Sequence, residues 1–387
     1  MTRHARSATI VGIHQTQQAR TLPGRTSQDL VIEAVKGAIA DAGLQPRDVD
    51  GAAIDWPGPG GAPRDAENWA MYLKQPLSWC VSHHLLTAGV RGVLEAAAAV
   101  EAGLCDVAVV GSGRAGPFSS DGAAPGANMS MEFAEPFGSS VMAQFALVAT
   151  RHMHEFGTTP EQLAHVAATI RNHGHVNPDA VMFGAGPYTA ADVLASPLIA
   201  TPLHRLDCCL MNEGGAAIVL TTAERARDLK AHPVSILGGG MEFFQGNYAN
   251  PPLYRQLRTL GRAAAARALG RAGMTASDVD VFSLYDPVGF EVLRQFEMLG
   301  LCAEGEGGAF CAGERLTLQG SCPTNLDGGM LAGSWTGTAQ LTLKVIEAVR
   351  QLRRVNGARQ VPDAELALAS NAGSGAQHIE LVLLGRG

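Results

Sequence analysis

The side chains able to do chemistry are scattered along the chain. Seven cysteines, Cys80, Cys105, Cys208, Cys209, Cys302, Cys311 and Cys322, stand at uneven spacing without a Cys-x-x-Cys pair. Neither a disulfide framework nor a zinc site is indicated, and no bound metal is expected. Cys208 and Cys209 precede an apolar strand pattern, and unpaired thiols in such places are expected to be buried. Adjacent histidines, His83 and His84, follow Trp79-Cys80-Val81-Ser82, and His204 lies in Pro202-Leu203-His204-Arg205-Leu206-Asp207. An imidazole titrates near neutrality and can serve as general acid or base. Tyr285 closes the apolar run Val281-Phe282-Ser283-Leu284-Tyr285, with Asp286 next. Groups just past a strand end are where α/β sheets expose functional side chains. A phenol there exchanges a proton with substrate only if its neighbours lower its reference pKa of about 10. The plain alternatives are loop histidines satisfied by backbone and a tyrosine capping a strand.

The elements that must position these residues come as a duplication. Ala42-Gly43-x4-Asp48-Val49-Asp50 ends the helical pattern LVIEAVKGAIADAG and leads into GAAID; 230 residues on, Ala272-Gly273-x4-Asp278-Val279-Asp280 ends GRAAAARALGRAG and leads into VFSLYD. Both copies read as helix, glycine cap, short loop and buried strand. Each half continues with a helix, Gly89 to Gly103 and Leu341 to Leu352, and a strand stopping at Gly-Ser-Gly, namely CDVAVVGSG to Gly113 and LALASNAGSG to Gly375. Helical patterns alternating with short apolar strands predict an α/β fold of two duplicated halves packed in layers, with helices covering buried sheets. The expected organisation is 1–116 as the first part of the N-terminal half, 117–202 as an inserted loop domain, 203–230 as the end of that half and 231–387 as the C-terminal half. The insertion is rich in Gly, Met, His and Pro, with one clear helix expected from Pro160 to His173.

Composition bounds the function classes. The chain has 387 residues, 46% hydrophobic, with 29 Lys plus Arg against 36 Asp plus Glu. Without a basic run, a nucleic-acid partner is not expected. No segment has the length and apolarity of a membrane span or the pattern of a secretory signal, so a cytoplasmic protein is expected.

Five segments in order carry a resemblance to a known family: GLCDVAVVGSG (Gly103 to Gly113), Tyr188 to Leu220, LYDPVGFEVL (Leu284 to Leu293), Asn325 to Arg353, and NAGSGAQHIELVLL (Asn371 to Leu384). The chain resembles the thiolase superfamily, in its sterol-carrier-protein-type branch. The resemblance implies the thiolase fold, α-β-α-β-α, and a homodimer formed through a sheet edge. It also implies a coenzyme A thioester as substrate, with no covalently bound cofactor. Its catalytic positions are not kept. The nucleophilic cysteine falls on Leu86, the second cysteine on Asn371, and the Gly-His-Pro histidine within Gly333-Ser334-Trp335, so Ser334 or Trp335 stands for the imidazole. Gly333, Gly373 and Gly375 remain as the backbone cradle expected to bind substrate.

The steroid side-chain-cleaving aldolases of this branch are similar in lacking both cysteines. The leading expectation is therefore retro-aldol cleavage of a bulky, steroid-like β-hydroxyacyl-CoA, with Tyr285, Asp286, His83, His84 and His204 as candidate acids and bases. The resemblance further implies a separate zinc-ribbon/OB-fold partner that helps bind the acyl-CoA. The alternatives are an acyltransferase or thiolase with an unconventional site, and a non-catalytic acyl-CoA or lipid binder.

Overall fold

The computed structural model describes residues 6–55, 68–81, 89–116, 140–230, 232–244, 253–337, 339–373 and 375–387. The strands are β1 (Ala8–Gln15), β2 (Gly51–Asp55), β3 (Trp79–Val81), β4 (Val107–Arg114), β5 (Leu198–Ala200), β6 (Leu203–His204), β7 (Gly214–Thr222), β8 (Val234–Phe243), β9 (Val281–Ser283), β10 (Leu366–Gly373) and β11 (His378–Arg386). The longer helices are α1 (Ser27–Asp41), α2 (Gly89–Ala102), α3 (Val141–Phe156), α4 (Pro160–His175), α5 (Arg262–Gly270), α6 (Gly289–Leu299) and α7 (Ala339–Leu352).

Nine strands form one sheet in the order β3-β2-β4-β7-β1-β8-β11-β10-β9, and β5 and β6 make a separate hairpin. The two halves meet where β1 pairs with β8 over only Thr9 with Ser235 and Ile10 with Val234. Side-chain alternation sorts the layers. In β4, Val107 and Val109 face α1, while Ala108 and Val110 face a middle core shared with α2, α7, β10 and β11. In β10, Ala367 and Ala369 face that middle core and Leu368 and Ala372 the opposite one, with α6. The order is α1, first half-sheet, α2 with α7, second half-sheet, then α5 and α6: the five layers the resemblance implies. Helix α5 lies very close to β8, where a Cβ on Gly238 or Gly240 would come within 2.0 Å of the Ala268 or Ala264 carbonyl oxygen.

The duplicated motif is duplicated in geometry. Gly43 and Gly273 take φ of 71° and 68°, the left-handed turn that glycine adopts at least cost. The Asp50 carboxylate accepts from the N–H groups of Asp106 and Val107, the start of β4. The Asp280 carboxylate accepts from those of Glu365 and Leu366, the start of β10.

The insertion departs from expectation. Its helix α4 runs to His175, and α3, for which no helix was expected, precedes it with Ser140 Oγ capping the Ala143 N–H. Phe145, Leu163, Val193 and Leu203 pack in one cluster with Phe290 and Phe296 of the second half. Among the described residues no helix is long and apolar enough to cross a membrane.

Candidate active site

The ends of β9 and β10 carry Tyr285 and Asn371, and the loop after Thr324 folds back over them. Strand β9 is shorter than the run VFSLY suggests, because beyond Ser283 side chains replace the backbone ladder. Asn325 accepts from the Leu284 N–H at 2.7 Å and donates Nδ2 to its carbonyl at 2.9 Å. The Tyr285 N–H donates to Ser370 Oγ at 2.9 Å, Ser370 donates to Gln295 Oε1 at 2.5 Å, and Gln295 Nε2 donates to the Tyr285 carbonyl at 2.7 Å. Tyr285 itself is largely buried in the outer core of the second half.

Asp286 is fully buried. Its carboxylate takes the Met330 N–H at 3.0 Å and the Lys344 ammonium at 2.5 Å. Burial pushes its carboxyl up to about 6, against the pull of Lys344. Gly329 lies so tightly on this carboxylate that a Cβ there would be 2.0 Å from Oδ2. Five residues on, the Ser334 N–H donates to the Gly329 carbonyl and Ser334 Oγ donates to Gln18 Oε1 at 2.9 Å. These residues border a small polar cleft with a cavity volume of only about 20 Å³, open to solvent and lined by Gln18, Gly333, Ser334, Lys344 and Glu347. Burial pushes the Glu347 carboxyl up to about 7, with Asp327 adding to the shift and Arg359 opposing it.

Trp335 lies over Arg114, the last residue of β4, with the guanidinium carbon 5.5 Å from the ring centre. Burial pushes Arg114 down to about 10, and Glu213 opposes that shift. Asn371 faces the middle layer and donates Nδ2 to Glu380, its cross-strand partner on β11. Helix α2 begins beside α7, where the Gly89 N–H donates to Thr342 Oγ1 at 3.0 Å.

Thus Tyr285 is joined to Asn371 through Ser370, and Asp286 to Ser334 through Gly329. His83, His84 and Leu86 lie outside the described residues. His204 sits on the β5–β6 hairpin, just past the insertion, its Nδ1 3.6 Å from Asp207 Oδ2. Two of the cradle glycines have packing reasons for having no side chain. A Cβ on Gly373 would meet the His378 ring at 2.4 Å, and one on Gly375 would meet Gln144 at 2.7 Å. Sequence reasoning missed Lys344, Arg114 and Glu380. The available signal was ionisable residues inside otherwise apolar helix and strand patterns.

No described thiol with a resolved shift is poised as a nucleophile. Burial pushes Cys105, Cys208 and Cys302 up to about 12 and Cys209, Cys311 and Cys322 upward as well. Among the described residues no group of three or more His, Cys, Asp or Glu side chains could hold a metal.

Residues 255–386 match the family described as thiolase C-terminal domain-like. The chain is 34% identical to a steroid side-chain-cleaving aldolase of Thermomonospora curvata, over 90% of each protein. It belongs to the thiolase superfamily. It is also 34% identical to 17-hydroxy-3-oxo-4-pregnene-20-carboxyl-CoA lyase of Mycobacterium tuberculosis, over 89% of this chain and 91% of the relative. The solved Ltp2-ChsH2(DUF35) aldolase superposes with a TM-score of 0.82 at 30% identity, covering 98% of both chains. Within the superfamily, the chain falls in the sterol-carrier-protein-type branch that includes these aldolases.

Proposed function

We propose that this thiolase-superfamily chain is a carbon–carbon lyase that cleaves a bulky, steroid-like β-hydroxyacyl-CoA by retro-aldol chemistry. The observation that carries the reading is the site's inventory. Where thiolysis needs a second thiol and an imidazole, the chain has Asn371 held by Glu380 and Ser334-Trp335 held by Gln18 and Arg114. An amide and an indole cannot pass a proton at neutral pH, and a thiol buried to a pKa of about 12 cannot attack a thioester.

A retro-aldol step needs neither group. A base takes the β-hydroxyl proton, the hydroxyl oxygen becomes a carbonyl, and the Cα–Cβ bond breaks. Its electron pair passes to the α carbon and the thioester oxygen as an enolate, which is then protonated at carbon. N–H donors fixed in a water-poor site stabilise such an oxyanion. Tyr285 is the proposed proton carrier, since its backbone is clamped at the strand end next to Asn371. Asp286, buried against Lys344, is assigned to holding the 325–336 loop in place rather than to touching substrate. The homodimer expected from the family would form along β3, an outermost strand whose residues are only half-buried.

The same reading includes a separate zinc-ribbon/OB-fold partner for acyl-CoA binding, and the two-component neighbour supports it. The test is cleavage of 17-hydroxy-3-oxo-4-pregnene-20-carboxyl-CoA by the chain with that partner. Tyr285→Phe should keep acyl-CoA binding and lower turnover by about 10² to 10⁴, the range for a positioned acid or base. If the wild-type pair releases no steroid ketone, the lyase reading falls. If Tyr285→Phe turns over normally, the base lies elsewhere.

A further inference from the structure

Asn371 presents an unexplained acceptor. Its residue is fully buried, and its Oδ1 has no hydrogen-bond partner among the described residues. A buried polar atom left unmade costs free energy and calls for a ligand or water. Here the amide cannot turn over to relieve it. The group facing Nδ2 is the Glu380 carboxylate, which is also buried and whose second oxygen lies 3.3 Å from His378 Nδ1. A carboxylate only accepts hydrogen bonds, so a flipped amide would set two acceptors against each other in a dry site. Phe243 stacks on His378 at 5.9 Å, and Arg91 of α2 lies 4.7 Å from the centre of the Phe243 ring, so the row behind Glu380 is itself packed in place.

The side chain also has a direction. Ala367 and Ala369 face the middle layer, and two-residue alternation turns Asn371 the same way, toward the side of the sheet where α2 begins. Ser370, pointing oppositely, holds Tyr285. The orphan oxygen therefore stands one residue from the proposed proton carrier's clamp. Its chemistry is that of a pure acceptor.

We infer that Asn371, its amide locked by Glu380, reads the substrate's β-hydroxyl and so selects β-hydroxyacyl over β-oxoacyl thioesters. A β-hydroxyl can donate to Oδ1. A β-ketone and a thioester carbonyl are acceptors, and either would leave Oδ1 unpaired or opposed. Sites built to pair one polar group reject analogues lacking it more strongly than apolar pockets reject a misfit. Bound this way, the hydroxyl is held by a group that cannot take its proton, so cleavage still needs a separate base. The inference rests on the lyase reading for its substrate and deepens it.

The probes are 3-hydroxybutyryl-CoA and acetoacetyl-CoA, which differ only at the β carbon. Their dissociation constants are measured by calorimetry on the chain with its partner. The wild type should prefer the hydroxy compound by about tenfold or more, as expected for one satisfied against one unsatisfied buried acceptor. Asn371→Leu should bring the ratio to within about threefold of one. Glu380→Leu serves where Asn371→Leu does not fold, since it leaves the Asn371 side chain in place and removes the acceptor that fixes its amide, so the same loss of preference is expected. A wild-type ratio near one, or an unchanged ratio in the variant that folds, overturns the inference and leaves a water as the occupant of Oδ1. If the preference behaves as expected while the steroid thioester is not cleaved, the lyase reading fails and the hydroxyl-reading role of Asn371 stands.

Discussion

Lys344→Met isolates the buried Asp286–Lys344 pair and makes its consequence depend on pH. In the wild type the Asp286 carboxyl is raised to about 6 from a reference of 3.8. The folded state therefore holds its proton more tightly than the unfolded chain. Stability at this site is unimpaired below pH 3.8, falls as pH rises toward 6, and is flat above, with a plateau cost of about 3 kcal/mol. Without the ammonium the carboxyl remains buried, and the least costly folded form keeps its proton. Holding that proton costs about 1.4 kcal/mol per pH unit above the reference value, near 6 kcal/mol at pH 8 and about 2 kcal/mol at pH 5.5. The difference from wild type is about 3 kcal/mol at pH 8 and near zero at pH 5.5. With an unfolding entropy of about 2 cal/mol/K per residue, the melting temperature should fall by about 3 °C at pH 8 and by under 1 °C at pH 5.5. Differential scanning calorimetry at the two pH values measures this directly. An equal loss at both, or none at pH 8, would refute the burial argument and reduce Lys344 to a packing residue.

Two further outcomes follow from the geometry. Incubation with acetoacetyl-CoA should leave no acyl group on any cysteine, checked by intact mass; an adduct on Cys80, Cys208 or Cys209 would favour an acyltransferase. Gly240→Ala should destabilise by more than about 2 kcal/mol or abolish soluble expression, because the new Cβ would sit 2.0 Å from a helix carbonyl oxygen; an unchanged melting temperature would mean α5 is free to move off β8.

The duplication was legible because its signals are local. The glycine at each helix end and the aspartate before each strand recur at fixed spacing, and the two aspartates clasp the next strand's N–H groups in the same way. The site was less legible because its determinants are remote in sequence. Lys344 lies 58 positions from Asp286 and Ser370 85 positions from Tyr285. A sequence pattern cannot reveal that Asn325 stands in for a neighbouring strand at Leu284, so VFSLY read as more strand than it is. Helix α3 escaped notice because the Gly- and Met-rich stretch before it reads as loop, and its stability comes from the second half's core rather than from its own propensity.

The placement of α7 bears on how this protein can be divided. Its residues Val345 and Val349 share a core with Ala108 and Ile218 of the first half as well as Ala367 and Val382 of the second. A helix lodged between both sheets belongs to neither, so the stretch matching the C-terminal thiolase family cannot be excised as a module. Cutting between the halves strips one face from each sheet at once, exposing Ala, Val and Leu side chains that have no polar neighbours to fall back on. The halves carry the same motif, yet they share one core. Deleting either half of this chain would therefore report loss of folding, and point substitutions are the means by which its parts can be told apart.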